Sequence, residues 1–161
     1  MMKLTDKFVA PGVVMSLSAI YNKKLNKQAA EVVVVVRKAM PILRKLLKLP
    51  KDVTIRVAPI KARNTNGRYF NGERMAEIDC RLDWAKALEV LCHEMVHAEQ
   101  YHTGRLEKTW VSRGWTHVWN GSISFNKGTT YKAYRDQPWE LEAWERQAAL
   151  AEQVCTILEN Q

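Results

Sequence analysis

The chain has 161 residues, 47% of them apolar, and a formal net charge of +8. That size and composition suit one folded unit spanning residues 1–161 and exclude a disordered or fibrous chain. The longest apolar run is residues 32–36, far too short to span a membrane.

The charge is uneven. Residues 1–74 carry 16 basic and 4 acidic side chains, whereas residues 75–161 carry 9 and 13. The basic half is expected either to contact nucleic acid or an acidic partner, or to be a solubilising lysine-rich face. Residues 1–18 read as irregular, with Pro11-Gly12 as a turn and no signal-peptide core, so secretion by that route is not expected. Helical composition then dominates to Leu47. Residues 32–36 have the propensity of a buried strand, but their Lys, Gln, Ala, Arg and Leu neighbours favour helix. Pro41 should divide that helix into residues 19–39 and 41–47.

Val53, Ile55 and Val57 alternate with Thr54 and Arg56, a strand pattern. The Asn- and Gly-rich stretch 64–72 predicts a tight turn with a short hairpin at 67–72. Residues 75–80 read as a strand, either a plain edge or one to which an extended peptide could add itself. Asp83 is suited to cap a helix from Trp84 to about His102, with Trp84, Leu88, Leu91 and Met95 as its apolar stripe. Residues 103–136 are long for a bare connection and should form a wall or lid, with short strands at 116–119 and 122–125. Pro138 fits the first turn of a last helix reaching Leu158. Cys80, Cys92 and Cys155 are odd in number and widely spaced, as expected of reduced thiols in a cytoplasmic setting.

Within the helix beginning at Trp84 lies His93-Glu94-Met95-Val96-His97. Imidazoles one helical turn apart share a face and can hold one metal ion, with Glu94 beside them. A catalytic zinc uses three protein ligands and an open position, so a third is required. Glu140 is the stronger candidate. Taking Leu141, Trp144, Ala148, Ala151, Cys155 and Leu158 as the last helix's apolar stripe, Glu140 lies about 50° from its centre and Glu142 about 150°. A carboxylate beside an apolar face is costly unless paired or metal-bound. The rival is His117, which would make a three-histidine site.

The segment EVLCHEMVHAEQY is similar to the zincin metallopeptidases, and PWELEAWERQ resembles the glutamate-bearing helix of their gluzincin branch. Together with Trp119-Asn120-Gly121, these motifs also resemble small HExxH metallopeptidases encoded by bacteriophages. The resemblance covers the second half of the chain and carries over residue by residue. It implies His93, His97 and Glu140 as zinc ligands, Glu94 as the catalytic glutamate, and hydrolysis of a peptide or protein by attack of zinc-activated water. It implies an α+β, minimal zincin-like fold, with a small mixed or antiparallel sheet packed on the HExxH helix and a C-terminal helix. For a phage-encoded protein the setting would be the host cytoplasm or the virion. Trp144 stands where the gluzincin pattern has an aspartate, so the carboxylate that the pattern supplies there is missing or comes from elsewhere. A weaker resemblance, to SprT-like DNA-associated proteases, would call for a third histidine. A longer HExxHxxGxxH pattern would need it at position 103, which is Thr103, so His102 is misplaced.

Tyr131, Tyr134 and His117 are candidates to steady the reaction's oxyanion, with Tyr134 assigned the catalytic role. Glu99 and Gln100 either orient a ligand imidazole through its free ring nitrogen or are ordinary solvent-facing residues of the helix. Cys92 reads as packing. A non-catalytic alternative is a binding or structural protein that retains zinc for folding.

Overall fold

The computed structural model describes residues 13–15, 23–62, 64–112, 114–124 and 130–161. The expected turn at Pro11-Gly12 lies outside them. Four strands, β1 (Val13–Met15), β2 (Thr54–Ala58), β3 (Gly67–Phe70) and β4 (Met75–Asp79), form a mixed sheet in the order β1-β2-β4-β3. β1 and β4 run parallel to β2, and β3 runs antiparallel to β4. β1 therefore falls inside a stretch the sequence suggests is irregular.

The helix α1 (Lys23–Leu46), between β1 and β2 in chain order, is itself unbroken and carries Pro41 inside it. The expected division at this proline does not occur. Pro41 and Arg37, whose carbonyl the proline cannot serve, both lie on the exposed side, where water can take the missing bond. The opposite side buries Val32, Val33, Val36 and Leu43. These pack in one core with Ile55, Val57, Ala76 and Ile78, which are register neighbours on a single face of the sheet. Helix, not strand, is thus the state of residues 32–36.

The sheet edge is not the strand expected from the sequence. β4 is interior, paired on both sides, and the edge is β3. The expected hairpin at 67–72 is shifted accordingly: Gly67 to Phe70 is strand, and the turn is a short 3-10 segment at Asn71–Glu73. Arg74 closes it at φ 47°. On the sheet's other face Arg56, Glu77 and Arg68 lie in one row across β2, β4 and β3, with Glu77 buried between the two guanidinium groups at 2.8 and 2.6 Å.

The helix α2 (Trp84–His102) begins where Asp83 accepts a hydrogen bond from the Lys86 amide at 2.8 Å. It ends in a Schellman motif: the Arg105 amide donates to the Gln100 carbonyl and the Gly104 amide to that of Tyr101, with Gly104 at φ 70°. Leu88, Leu91 and Met95 are buried as expected, but Trp84 is 55% exposed, at the rim of a groove it shares with Ala30, Val34 and Val35 of α1.

Residues 106–124 form a separate antiparallel sheet of β5 (Leu106–Val111), β6 (Gly114–Trp119) and β7 (Ser122–Ser124). The sequence does not announce β5; Phe125, expected to extend β7, lies outside the described residues. A short helix α3 (Tyr131–Arg135) precedes α4 (Pro138–Glu159), which has Pro138 in its first turn. The buried line of α4 is Trp139, Glu140, Ala143, Leu150 and Val154, with Trp144, Ala151, Cys155 and Leu158 half-buried beside it. The expected stripe is therefore rotated: Leu141 and Ala148 face solvent.

Candidate metal centre

α4 packs against α2, and an ion network fixes their register. Arg105 bonds Glu142 at 2.7 Å and Glu99 at 3.2 Å, while Arg146 bonds Glu99 at 2.5 Å and Glu142 at 2.6 Å. Glu99 thus clamps the helices together rather than orienting a histidine. In this register Glu140, 3% exposed, faces the two imidazoles of α2. His93 Nε2 and His97 Nε2 are 3.1 Å apart, and each lies 3.4 Å from a Glu140 carboxylate oxygen. Tetrahedral ligands about 2.0–2.1 Å from a common ion would be about 3.3–3.4 Å apart. Two neutral imidazoles and a carboxylate at these separations fit a divalent cation of the zinc type, and among the described residues this group of three can hold a metal ion. The arrangement is consistent with a gluzincin-type HExxH metallopeptidase site. His117 stands outside the cluster, its ring against Trp139 at 4.7 Å between centroids.

Each histidine has a partner for its other nitrogen. His97 Nδ1 meets Gln100 Oε1 at 2.9 Å, and the fully buried Gln100 donates from Nε2 to the Trp139 carbonyl at 3.0 Å. His93 Nδ1 meets Gln147 Oε1 at 3.1 Å. An amide oxygen accepts a hydrogen bond, so both Nδ1 atoms carry a proton, and both Nε2 atoms face Glu140, each able to ligate a metal once it has given up any proton of its own. Trp144, at the position of the absent aspartate, instead meets the His93 ring edge-on at 5.0 Å. The partner is supplied one turn further along α4. Its signal in the sequence is spacing: Gln147 follows Glu140 by seven residues, two turns along the same face.

Glu94 is 5% exposed. Burial pushes its carboxyl up, against the lowering pull of His97 and His93, and the Glu140 charge adds to the rise. Gly67 of β3 passes directly over it: a Cβ there would lie 2.5 Å from Val90 Cγ1 and 2.9 Å from Glu94 Oε1. The strand edge and the glutamate are this close only because position 67 has no side chain.

The metal-free centre is an ion pair. Burial alone would lower the His97 pKa, but hydrogen bonding to Glu140 and the charges of Glu94 and Glu140 outweigh it and raise it to about 9. Burial works against ionised Glu140, yet hydrogen bonds from His93 and His97, the His97 charge and the Tyr134 hydroxyl hold its carboxyl down at about 2. Tyr134 is raised by burial and by the Glu140 charge, and its hydroxyl hydrogen-bonds that carboxylate. His117 is lowered, first by burial and then by the Lys108 charge, so it is neutral at pH 7.

These groups line a cleft of about 470 Å³ bounded by β3, α2, the β5–β6 hairpin, α3 and α4. Tyr131, Tyr134 and His117 all reach it, as does Tyr101, stacked on Tyr69 at 5.9 Å. Cys92 is buried in the core, its thiol pushed up to about 12 by burial, as a packing residue should be. Cys80 and Cys155 are also free thiols. No helix among the described residues is long and apolar enough to cross a membrane. Comparison of the chain with family models, curated proteins and solved structures finds no match.

Proposed function

We propose that this protein is a zinc-dependent peptidase in which His93, His97 and Glu140 are the metal ligands and Glu94 is the general base. The observation that carries the reading is the convergence of three donor atoms within 3.4 Å beside a buried carboxylate. Among the described residues the cluster has three donors, which leaves a coordination position for substrate or water, whereas a structural zinc site takes four protein ligands. When bound, zinc supplies Lewis acidity, lowering the pKa of water and withdrawing electron density from a peptide carbonyl.

Glu94 takes one proton as the water oxygen attacks the carbonyl carbon, and its raised pKa suits it to that role. As the C–N bond breaks, Glu94 returns the proton to the departing amine. Tyr134, with neutral His117 on the facing hairpin, supplies hydrogen-bond donors for the oxyanion. β3 gives an extended substrate a free edge beside Glu94. The test is Glu94→Gln: zinc content should match wild type while peptide hydrolysis falls by about 10²–10⁴-fold. Hydrolysis at the wild-type rate would reject Glu94 as the base.

A further inference from the structure

The charged residues lining the cleft are unevenly matched. Its two carboxylates, Glu94 and Glu140, belong to the metal centre, while Arg68, Lys86, Lys108 and Arg135 bring four cations. Arg68 is held by Glu77 at 2.6 Å and Lys86 by Glu89 at 2.9 Å. Lys108 and Arg135 have no carboxylate partner among the described residues, although both reach the cleft.

Both are positioned by what surrounds the site. Lys108 is the register partner of His117 across β5 and β6, so the two side chains leave the same face of the hairpin. Arg135, at the end of α3, places its guanidinium over the Trp144 ring at 4.7 Å, and Trp144 in turn touches His93. Stacking on the indole occupies the guanidinium face and leaves its N–H edge free to grip a carboxylate through two hydrogen bonds.

We propose that the cleft selects acidic peptides, with Lys108 and Arg135 receiving carboxylates on either side of the scissile bond. The selectivity rests on the peptidase reading above. The carboxylates are those of Asp and Glu side chains; a terminal carboxylate has the same chemistry and is separated from them by capping.

The experiment offers the zinc-loaded full chain two peptide libraries of equal length with both ends capped. They are identical except that the charged positions are Asp/Glu in one and Lys/Arg in the other, and cleavage is read by mass spectrometry. The acidic library should be cut on the order of tenfold faster at low ionic strength, with the gap narrowing as salt is added. The K108E/R135E double variant, checked for native circular dichroism and zinc content, should reverse the preference. Zinc-loaded Glu94→Gln should bind a capped acidic peptide more tightly than a basic one by fluorescence anisotropy.

Equal cleavage of the two libraries, or faster cleavage of the basic one, overturns the selectivity and leaves the peptidase standing. A preference that appears only with uncapped peptides transfers the role to the terminal carboxylate and overturns the side-chain assignment. An unchanged preference in the double variant removes Lys108 and Arg135 from it. Tighter binding of a short single-stranded oligonucleotide than of the acidic peptide to Glu94→Gln would assign the cations to nucleic acid. No cleavage of either library by zinc-loaded protein rejects the peptidase and the selectivity together.

Discussion

Replacing Gly67 by alanine should injure both stability and catalysis, by separable routes. The new methyl group would sit 2.5 Å from Val90 Cγ1 and 2.9 Å from Glu94 Oε1. Carbon atoms in good contact are about 3.5–4.0 Å apart, so β3 and α2 must separate by about 1 Å or their side chains must leave their rotamers. Val90 is β-branched and fixed on a helix, which gives it little room to turn. Overpacking of this kind costs about 1–3 kcal/mol, which for a chain of this length lowers Tm by about 2–12 °C. Displacing Glu94 by about 1 Å should lower kcat/KM by up to about a hundredfold, with zinc content unchanged because the atoms nearest the new methyl belong to Val90 and Glu94. Calorimetry, zinc analysis and peptide hydrolysis on Gly67→Ala and on Gly67→Ala/Val90→Ala would check this. The double variant removes one clash and keeps the other, so it should regain more stability than activity. A Gly67→Ala protein with wild-type Tm and wild-type kcat/KM would refute the close approach of β3 to Glu94.

Further outcomes follow from the same geometry. Tyr134→Phe should lower kcat by about a hundredfold with little change in KM or zinc affinity; a loss of zinc affinity alone would make Tyr134 a prop for Glu140. Gln147→Leu should weaken zinc binding about 10–100-fold in a chelator competition, because His93 loses the acceptor for its Nδ1 proton, and Gln147→Glu should restore it. Without metal, His97 has a folded pKa of about 9, above its ordinary 6.5, so its contribution to stability is full below pH 6.5 and is lost as pH rises through about 9. Glu140, held at about 2 against an ordinary 4.5, contributes above pH 4.5 and loses its contribution as pH falls toward 2. Urea melts of zinc-free protein should therefore show this pair's stabilisation at its fullest between about pH 4.5 and 6.5, and its absence in Glu140→Gln. Zinc must displace the His97 proton, so zinc affinity should rise with pH up to about 9.

The parts of this fold that are local in sequence could be read from it. Asp83 caps a helix that starts and stops where its composition says, and the HExxH spacing needs only that helix to put two imidazoles on one face. Glu140 was legible because a carboxylate beside an apolar face demands a partner, even though the stripe used to place it was rotated from the true one. What could not be read depends on partners distant in the chain. β5, with the charged run Glu107-Lys108, is a strand because β6 pairs with it, Trp110 opposite Trp115. β4 is interior only because β3 folds back on it, and the need for glycine at 67 arises only where α2 passes beneath. Gln147 acts on a histidine 54 residues away, a pairing that requires the α2–α4 register set by Arg105 and Arg146.

Zinc content per chain, measured on purified wild type, Glu140→Ala and His117→Ala, tests the centre most directly. About one zinc is expected in wild type and in His117→Ala, and a severalfold loss in Glu140→Ala. A folded wild type that takes up neither zinc nor a comparable divalent metal, or zinc lost with His117→Ala and kept in Glu140→Ala, would contradict a centre built from His93, His97 and Glu140.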